Sequence, residues 1–288
     1  MRLRNRFHSS ALRSGRALGL VIAVSIAAVS FPAGAAASTQ PGGLRFKGSP
    51  HTKSGGNLID HGGPILSGSH TYAIFWGPSS AWSGDVMPGI ASLFSGFAGS
   101  NYLGVAAQYM RGATIGSAYA GSQADASAPP RKVSASTLGA EVQKLYGSNV
   151  DASGIYFVYT SNFPSGGGFC AWHSLATVNG QNVAVAYMPN TAGVAGCDPG
   201  NLYSLNGSEG LRSLANVTAH EFMESVTDPF PAQGTYGWLD QSGSEIGDKC
   251  AWQFSGPVTL SNKSQWQLQE EWSNDANGGG LGACVQGS

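Results

Sequence analysis

Two short apolar segments constrain the fold of this chain more than any other feature. Residues 154–160 read Gly-Ile-Tyr-Phe-Val-Tyr-Thr, and residues 182–188 read Asn-Val-Ala-Val-Ala-Tyr-Met. Both are apolar at odd and at even positions, whereas a strand with one face in water alternates between apolar and polar residues. We therefore predict that both segments are interior strands of a sheet that helices cover on its faces.

The other periodic segments predict a single α+β domain over residues 61–288, with a mixed sheet packed by helices. Apolar residues at helical spacing mark residues 87–110 (with a break near 99–101), 136–146 and 208–227. Ser136 and Thr137 are the expected cap of the second helix, and Gly147 is its expected end. Further strands are expected at residues 71–76, at 251–254 and within 264–272.

The first 37 residues are organised like a secretory signal peptide. Five arginines and no acid occur in the first sixteen residues, an apolar run follows at 17–29, and small residues at 33–37 favour cleavage near Ala37. The apolar run is short for a membrane span of about 20 residues, which disfavours an uncleaved anchor. Residues 38–60 are rich in Gly, Ser, Thr and Pro and are predicted to be a flexible mature N-terminus. We expect a secreted protein with no stable membrane insertion.

The charge balance makes nucleic acid an unexpected partner. The whole chain has 15 Lys and Arg against 16 Asp and Glu, and five of the arginines lie in the predicted signal peptide. All the acids and the ten other basic residues lie downstream, so the mature chain has a net charge of −6. Apart from Arg131-Lys132, no basic cluster remains that would bind phosphates or an anionic membrane surface.

Four cysteines follow the signal peptide, and an even number in an oxidising compartment predicts two disulfides. Of the three possible pairings, Cys170–Cys197 with Cys250–Cys284 closes the shorter loops and is favoured. The alternative is a Cys170/His173 nucleophile pair. It lacks a third residue nearby that would orient the histidine, and disulfides are the better prediction.

The third helix carries the motif that points most directly to chemistry. Ser208 is a good N-cap and Pro229 ends the helix, which places His220-Glu221-Phe222-Met223-Glu224 inside it. Residues four positions apart share a helix face, so His220 and Glu224 can bind one ion while Glu221 reaches a metal-bound water. This is the logic of the His-Glu-x-x-His zinc helix, with Glu replacing the second histidine.

A catalytic zinc ion needs a third protein ligand and one open position. Glu245 is the first candidate, and Asp248, three residues further on, is the second. Zincins that take a ligand from a following helix use a similar layout with a Glu-x-x-x-Asp spacing, one residue longer than here. Asp228 competes for the role, but Pro229 beside it favours a capping or turn function.

The chemistry expected of such a site is metal-assisted hydrolysis. Zinc, or another divalent cation, would lower the pKa of a bound water towards about 7 and polarise a carbonyl oxygen. Glu221 would act as the general base and then as the acid, and His173 is a candidate transition-state hydrogen-bond donor. The alternative for the motif is a pair of solvated glutamates beside a packed histidine. No Gly-x-Ser-x-Gly elbow of a serine esterase occurs.

Several segments together resemble the EXORDIUM/phosphate-induced protein 1 family of plant cell walls and its bacterial relatives. They are Gly62–Leu66, Phe75–Gly77, Phe169–His173, Ala219–Glu224, Asp228-Pro229, Gly237-Trp238, Glu245–Cys250 and Gln269–Trp272. The resemblance implies an extracellular or wall-associated protein, and it makes the His-Glu-x-x-Glu helix and the Glu-Ile-x-Asp-x-Cys segment shared features. It supplies no biochemical activity. The plant proteins have further cysteines near Cys170 and Cys197, so the resemblance does not give the disulfide pairing.

Two functional hypotheses follow. The first is a secreted metal-dependent hydrolase with a zincin-like centre, acting on an extracellular peptide or wall polymer. The second is a non-catalytic wall-associated or carbohydrate-binding protein, with a structural metal ion or none. In that case exposed aromatic residues would stack on sugars. The candidates for such stacking are Trp238, Trp252, Trp266 and Trp272.

Overall fold

A computed structural model describes residues 55–164, 168–231 and 234–287. The predicted signal peptide and most of the segment 38–60 lie outside the described residues. The α-helices are α1 (Val86–Phe97), α2 (Asn101–Gly104), α3 (Ala135–Tyr146) and α4 (Glu209–Thr227). The strands are β1 (Ile59–Asp60), β2 (Gly68–Trp76), β3 (Gly116–Asp125), β4 (Gly154–Thr160), β5 (Trp172–Val178), β6 (Gln181–Pro189), β7 (Trp238–Leu239), β8 (Val258–Thr259), β9 (Gln265–Trp266), β10 (Glu271–Ser273) and β11 (Ala283–Val285). Short 3₁₀ helices occur at Ser79–Ala81, Val105–Tyr109 and Asp248–Cys250.

The centre of the fold is a five-stranded mixed sheet in the order β3-β2-β4-β6-β5. The strands β3, β2, β4 and β6 are parallel, and β5 runs antiparallel to β6. The two segments predicted as interior strands are β4 and β6, and both lie inside the sheet. His173 pairs with Ala186, so the start of β5 lies beside the end of β6.

Both faces of the sheet are covered, as the apolar segments predict. Ile155, Phe157 and Tyr159 of β4 belong to the core cluster that contains α1 and α4 residues. Tyr156 and Val158 belong to the cluster on the α3 side. Because side chains alternate between faces, a strand buried on both sides must be apolar at every position.

The central helix α4 is buried along nearly its whole length. Its N-cap is Ser208, whose Oγ accepts a hydrogen bond from the backbone N–H of Leu211, as predicted. Every residue from Ser213 to Thr227 is buried. The helix packs on β4, β5 and β6, and Asn216 accepts a hydrogen bond from the backbone N–H of Gln269 in the C-terminal segment. A buried polar group is costly unless it has a partner, so polar atoms of α4 without one need an explanation.

The predicted break in residues 87–110 is confirmed. Helix α1 ends at Phe97, Gly99 has a left-handed backbone (φ 69°), and Ser100 caps α2. Both favoured disulfides, Cys170–Cys197 and Cys250–Cys284, are also confirmed. Two disulfides are compatible with an extracellular protein. None of the helices among the described residues has the length and apolarity needed to cross a bilayer.

Three predictions of local structure were wrong. Helix α3 is capped by Ser134, whose Oγ accepts from the backbone N–H of Thr137, rather than by Ser136 or Thr137. Residues 251–254 form no strand, because Trp252 has a left-handed backbone (φ 64°) that a strand excludes. The flexible N-terminus was predicted to reach residue 60, but Leu58 is buried and residues 59–60 pair with β7.

Candidate metal centre

Six predicted residues meet where α4 lies between the sheet and the C-terminal segment. Helix α4 supplies three of them, β5 supplies one, and the turn at residues 245–248 supplies two. They are His220, Glu221, Glu224, His173, Glu245 and Asp248. The side chains are buried except that of Asp248, which is 24% exposed. The centre therefore reaches solvent on the side of Asp248.

The first ligand group consists of His220, Glu224 and Asp248. The Nε2 atom of His220 lies 3.0 Å from Oε1 of Glu224 and 3.9 Å from Oδ1 of Asp248. The backbone N–H of Asp248 donates to the same Glu224 oxygen at 3.1 Å, which holds the turn against the helix. One imidazole nitrogen and two carboxylates thus face a common point.

The second ligand group consists of His173, Glu221 and Glu224. The Nδ1 atom of His173 lies 3.1 Å from Oε2 of Glu221 and 3.5 Å from Oε2 of Glu224. On the other side of the ring, Nε2 lies 2.9 Å from the backbone oxygen of Asp228 and 3.4 Å from Oε1 of Glu245. A carbonyl oxygen can only accept, so Nε2 carries a proton and donates it there.

Burial and neighbouring carboxylates act in opposite directions on the two histidines. Burial lowers the pKa of the His220 ring, but the carboxylates, Glu224 first, outweigh it and raise the pKa to about 10. Glu245, Glu221 and Glu224 likewise raise the pKa of the buried His173 well above its usual value. Burial raises the pKa of Glu224, but the two histidines outweigh it and lower the pKa to about 2. Without a cation, protonated rings therefore offset the charge of an ionised Glu224.

The other carboxyl groups of the centre are shifted the opposite way. Burial raises the pKa of Glu221, and burial together with the Glu224 charge raises the pKa of Glu245. The same two causes raise the pKa of Asp248 to about 7. Perturbed titratable groups in one cluster are typical of functional sites.

Gln269 determines which nitrogen of His220 is available to an ion. Its amide nitrogen lies 3.0 Å from Nδ1 of His220 and donates to the backbone oxygen of Gly247 at 2.9 Å. With the nitrogen facing Nδ1, a neutral ring carries its proton on Nε2. A cation on Nε2 needs that proton on Nδ1 and the amide oxygen turned towards it, and this turn gives up the hydrogen bond to the Gly247 oxygen.

Gly247 leaves the space in which these groups meet. A Cβ atom on this residue would lie 2.6 Å from Nδ1 of His220 and 3.1 Å from Oε1 of Glu224. Its φ of −77° is ordinary for any residue. Glycine is therefore required here because a side chain would not fit, and not because of the backbone conformation.

The residues fit a divalent cation. Three buried atoms, Nε2 of His220, Oε2 of Glu224 and Oε1 of Glu245, form no hydrogen bond among the described residues. Nε2 of His220 lies 3.0 Å from Oε1 of Glu224 as an ion pair. Two ligands about 2.1 Å from one ion and roughly 90–110° apart are about 3.0–3.4 Å from each other. The pair of His220 Nε2 and Glu224 Oε1 falls in this range, whereas Oδ1 of Asp248 lies 3.9 Å from the same nitrogen. The mixed nitrogen and oxygen set suits zinc, and carboxylates also accept harder cations.

The structure distinguishes the two predicted third ligands by position. Asp248 joins His220 and Glu224 in one group, whereas Glu245, ranked first from the sequence, lies against Nε2 of His173. Asp228 is the C-cap of α4, and its carboxylate accepts from the backbone N–H of Gly237. It has the structural role that Pro229 suggested.

Sequence reasoning missed Gln269 and Gly247. Both occur within the segments that carry the family resemblance, but nothing in their residue type predicts a contact with His220. A third missed feature is the buried Glu271, which accepts a hydrogen bond from the Tyr102 hydroxyl at 2.7 Å. Burial raises the pKa of Glu271 well above its usual value.

Comparison of the chain with protein-family models, with curated proteins and with solved structures found no match in any of the three. The resemblance to the EXORDIUM family rests on eight sequence segments, from Gly62–Leu66 to Gln269–Trp272.

Proposed function

We propose that the protein is a secreted metal-dependent hydrolase of peptide bonds with a zincin-like centre, and a bacterial-type member of the EXORDIUM family. The observation that carries this proposal is the buried Nε2 of His220. Among the residues that the structure describes it has no hydrogen-bond partner, and it faces oxygens of Glu224 and Asp248. These three residues would hold the cation, zinc in the first instance. When bound, the cation supplies an activated water and polarises the scissile carbonyl.

Glu221 is the general base in this proposal. It follows His220 directly on α4, and burial raises its pKa, which strengthens the carboxylate as a proton acceptor. Its carboxylate would take the proton of the attacking water and pass it to the leaving amine. Nδ1 of His173, 3.1 Å from Oε2 of Glu221, positions that carboxylate.

The surroundings of the tryptophans favour hydrolysis over sugar stacking. Trp266 and Trp272 are buried in the core, and Trp238 and Trp252 are partly buried and packed against it. None of the seven tryptophans, all of which lie in described residues, is exposed. A sugar-binding platform needs an aromatic face that is open to solvent.

The test is to compare the wild-type protein with Glu221→Gln. Metal content is measured by mass spectrometry, and hydrolysis of casein and of wall glycans is measured with and without a chelator. We expect one tightly held divalent cation, chelator-sensitive cleavage of casein, and loss of about 10²–10⁴-fold of the rate in Glu221→Gln with the metal retained.

Glu209→Gln is the matched control, since Glu209 lies on the same helix, is exposed and is remote from the centre. It should keep both metal and rate. Unchanged turnover in Glu221→Gln excludes this base, and a protein that cleaves glycans but not casein excludes the peptidase assignment.

A further inference from the structure

Glu224 belongs to both ligand groups of the centre and presents a different oxygen to each. Its Oε1 atom faces His220 at 3.0 Å, and its Oε2 atom faces His173 at 3.5 Å. Carboxylates that bridge two cations in this way occur in two-metal sites, where the ions are about 3.5–4 Å apart. A cation bound by the first ligand group would contact only Oε1 of Glu224 and would leave Oε2 without a cation.

We propose that the protein has a second, weaker divalent-cation position, formed by His173 Nδ1, Glu221 Oε2 and Glu224 Oε2. A cation bound there would occupy the carboxylate of Glu221, which could then no longer act as the base. Excess cation should therefore inhibit the enzyme. The binding of a second cation does not depend on the proposed hydrolase function, whereas the inhibition rests on it.

The geometry of His173 supports this position. Its Nε2–H donates to the backbone oxygen of Asp228 at 2.9 Å, so Nδ1 is the nitrogen turned towards Glu221 and Glu224. An outer hydrogen bond of this kind fixes the ring of a metal-binding histidine and its tautomer. The distances of 3.1 and 3.5 Å from Nδ1 to the two carboxylates are those between ligands of one ion.

An independent observation is the state of Oε2 of Glu224. The atom is fully buried, forms no hydrogen bond among the described residues, and faces His173. Leaving a buried carboxylate oxygen without a hydrogen bond costs free energy, and a cation bound to it would remove that cost.

The charges of the centre point the same way. Four carboxyl groups, those of Glu221, Glu224, Glu245 and Asp248, surround two histidines in a largely buried space. If cation binding ionised all four carboxyl groups and left both rings neutral, one divalent cation would leave two negative charges and a second would leave none. Buried charge is tolerated when it is compensated.

The second position should be the weaker one for two structural reasons. A cation there must break the existing hydrogen bond between His173 and Glu221. It must also enter a part of the centre without exposed side chains, whereas the first group includes the partly exposed Asp248. We expect at least a tenfold difference in affinity.

The test is titration of the chelator-stripped protein with Zn²⁺ by calorimetry, with metal counted by mass spectrometry after dialysis at low and at high Zn²⁺. We expect two cations in the wild-type protein and one in His173→Gln. Asp248→Asn should weaken only the binding of the first, tighter cation, by at least tenfold. Glu224→Gln should weaken the binding of both cations. His70→Gln is the matched control, because His70 is half exposed and pairs with Asp151 outside the centre.

Circular dichroism and thermal unfolding establish that each variant is folded. If His173→Gln does not fold, Glu221→Gln replaces it and must lose binding of the second, weaker cation. A single cation in the wild-type protein, or two in a folded His173→Gln, overturns the second position and leaves the hydrolase proposal intact. Two cations without any hydrolysis support the position and overturn the hydrolase. In the wild-type protein, the rate of hydrolysis should fall as the weaker cation position fills. In His173→Gln, the rate should stay at that variant's own basal value over the same Zn²⁺ range. An unchanged wild-type rate overturns the inhibition.

Discussion

His173 donates from Nε2 to the backbone oxygen of Asp228 at 2.9 Å and thereby joins the edge strand β5 to the C-terminal end of α4. The bond is buried and fixes the ring, so that its other nitrogen meets Glu221 and Glu224. The start of an edge strand and the end of a central helix, 55 residues apart, together orient the carboxylates of the centre.

Gly247→Ala should weaken cation binding by at least about tenfold and cost about 1–3 kcal/mol of stability, because the new methyl overlaps His220 and Glu224. Calorimetric titration and denaturant unfolding measure the two effects. Gly104→Ala is the control: this exposed residue has a φ of −56° and nothing within 4 Å of an added Cβ. Equal cation affinity in the two variants would show that Gly247 does not border the ion.

Substitutions of Gln269 should change cation affinity in opposite directions. Gln269→Glu places a carboxylate against Nδ1–H of His220, which favours the tautomer with a free Nε2, and we expect about tenfold tighter binding. Gln269→Leu removes the partner, and we expect about 10–100-fold weaker binding. Competition with a chromogenic chelator measures both. Weaker binding in both variants would contradict the role given to this tautomer.

Removal of the Cys250–Cys284 disulfide by paired alanine substitutions should cost about 2–4 kcal/mol of stability. It should also weaken cation binding, since Cys250 closes the 3₁₀ turn that begins with Asp248. The matched variant lacks Cys170–Cys197 and should lose similar stability without a change at Asp248. Unfolding curves and titration separate the effects. Identical affinity in both variants would show that the disulfide does not hold the turn.

Glu141 should give the protein a component of stability that declines between about pH 4.5 and pH 7. Burial, and then the Asp125 carboxylate, raise its pKa from 4.5 to about 7. A raised folded-state pKa stabilises the fold fully below the unfolded-state value, and this stabilisation is lost as the pH rises through the folded-state value.

Glu141→Gln keeps a neutral hydrogen-bond donor at this position at every pH. Its melting temperature should therefore exceed that of the wild type by a few degrees at pH 8 and match it at pH 4. Asp275→Asn, on the exposed surface, should retain the wild-type decline. A Glu141→Gln variant that is less stable than the wild type at pH 8 would reverse the sign and refute the assignment.

The elements that sequence patterns predicted well are those whose signals are local. Ser208 and Pro229 bracket α4 because a cap and a proline act on adjacent backbone groups. The same locality explains β4 and β6, whose apolar character on both faces requires burial. The error at Trp252 has the converse origin, since nothing in its aromatic side chain suggests the left-handed backbone (φ 64°) found there.

The sequence by itself determined that a histidine and two glutamates share one turn of a helix, because helical spacing depends only on the backbone. Only the tertiary structure decided that Asp248 faces His220, that Glu245 faces His173, and that Gln269 and Gly247 complete the site. Those contacts join residues more than twenty positions apart through turns and short strands. Their relative positions are set by packing against α4, which no local pattern encodes.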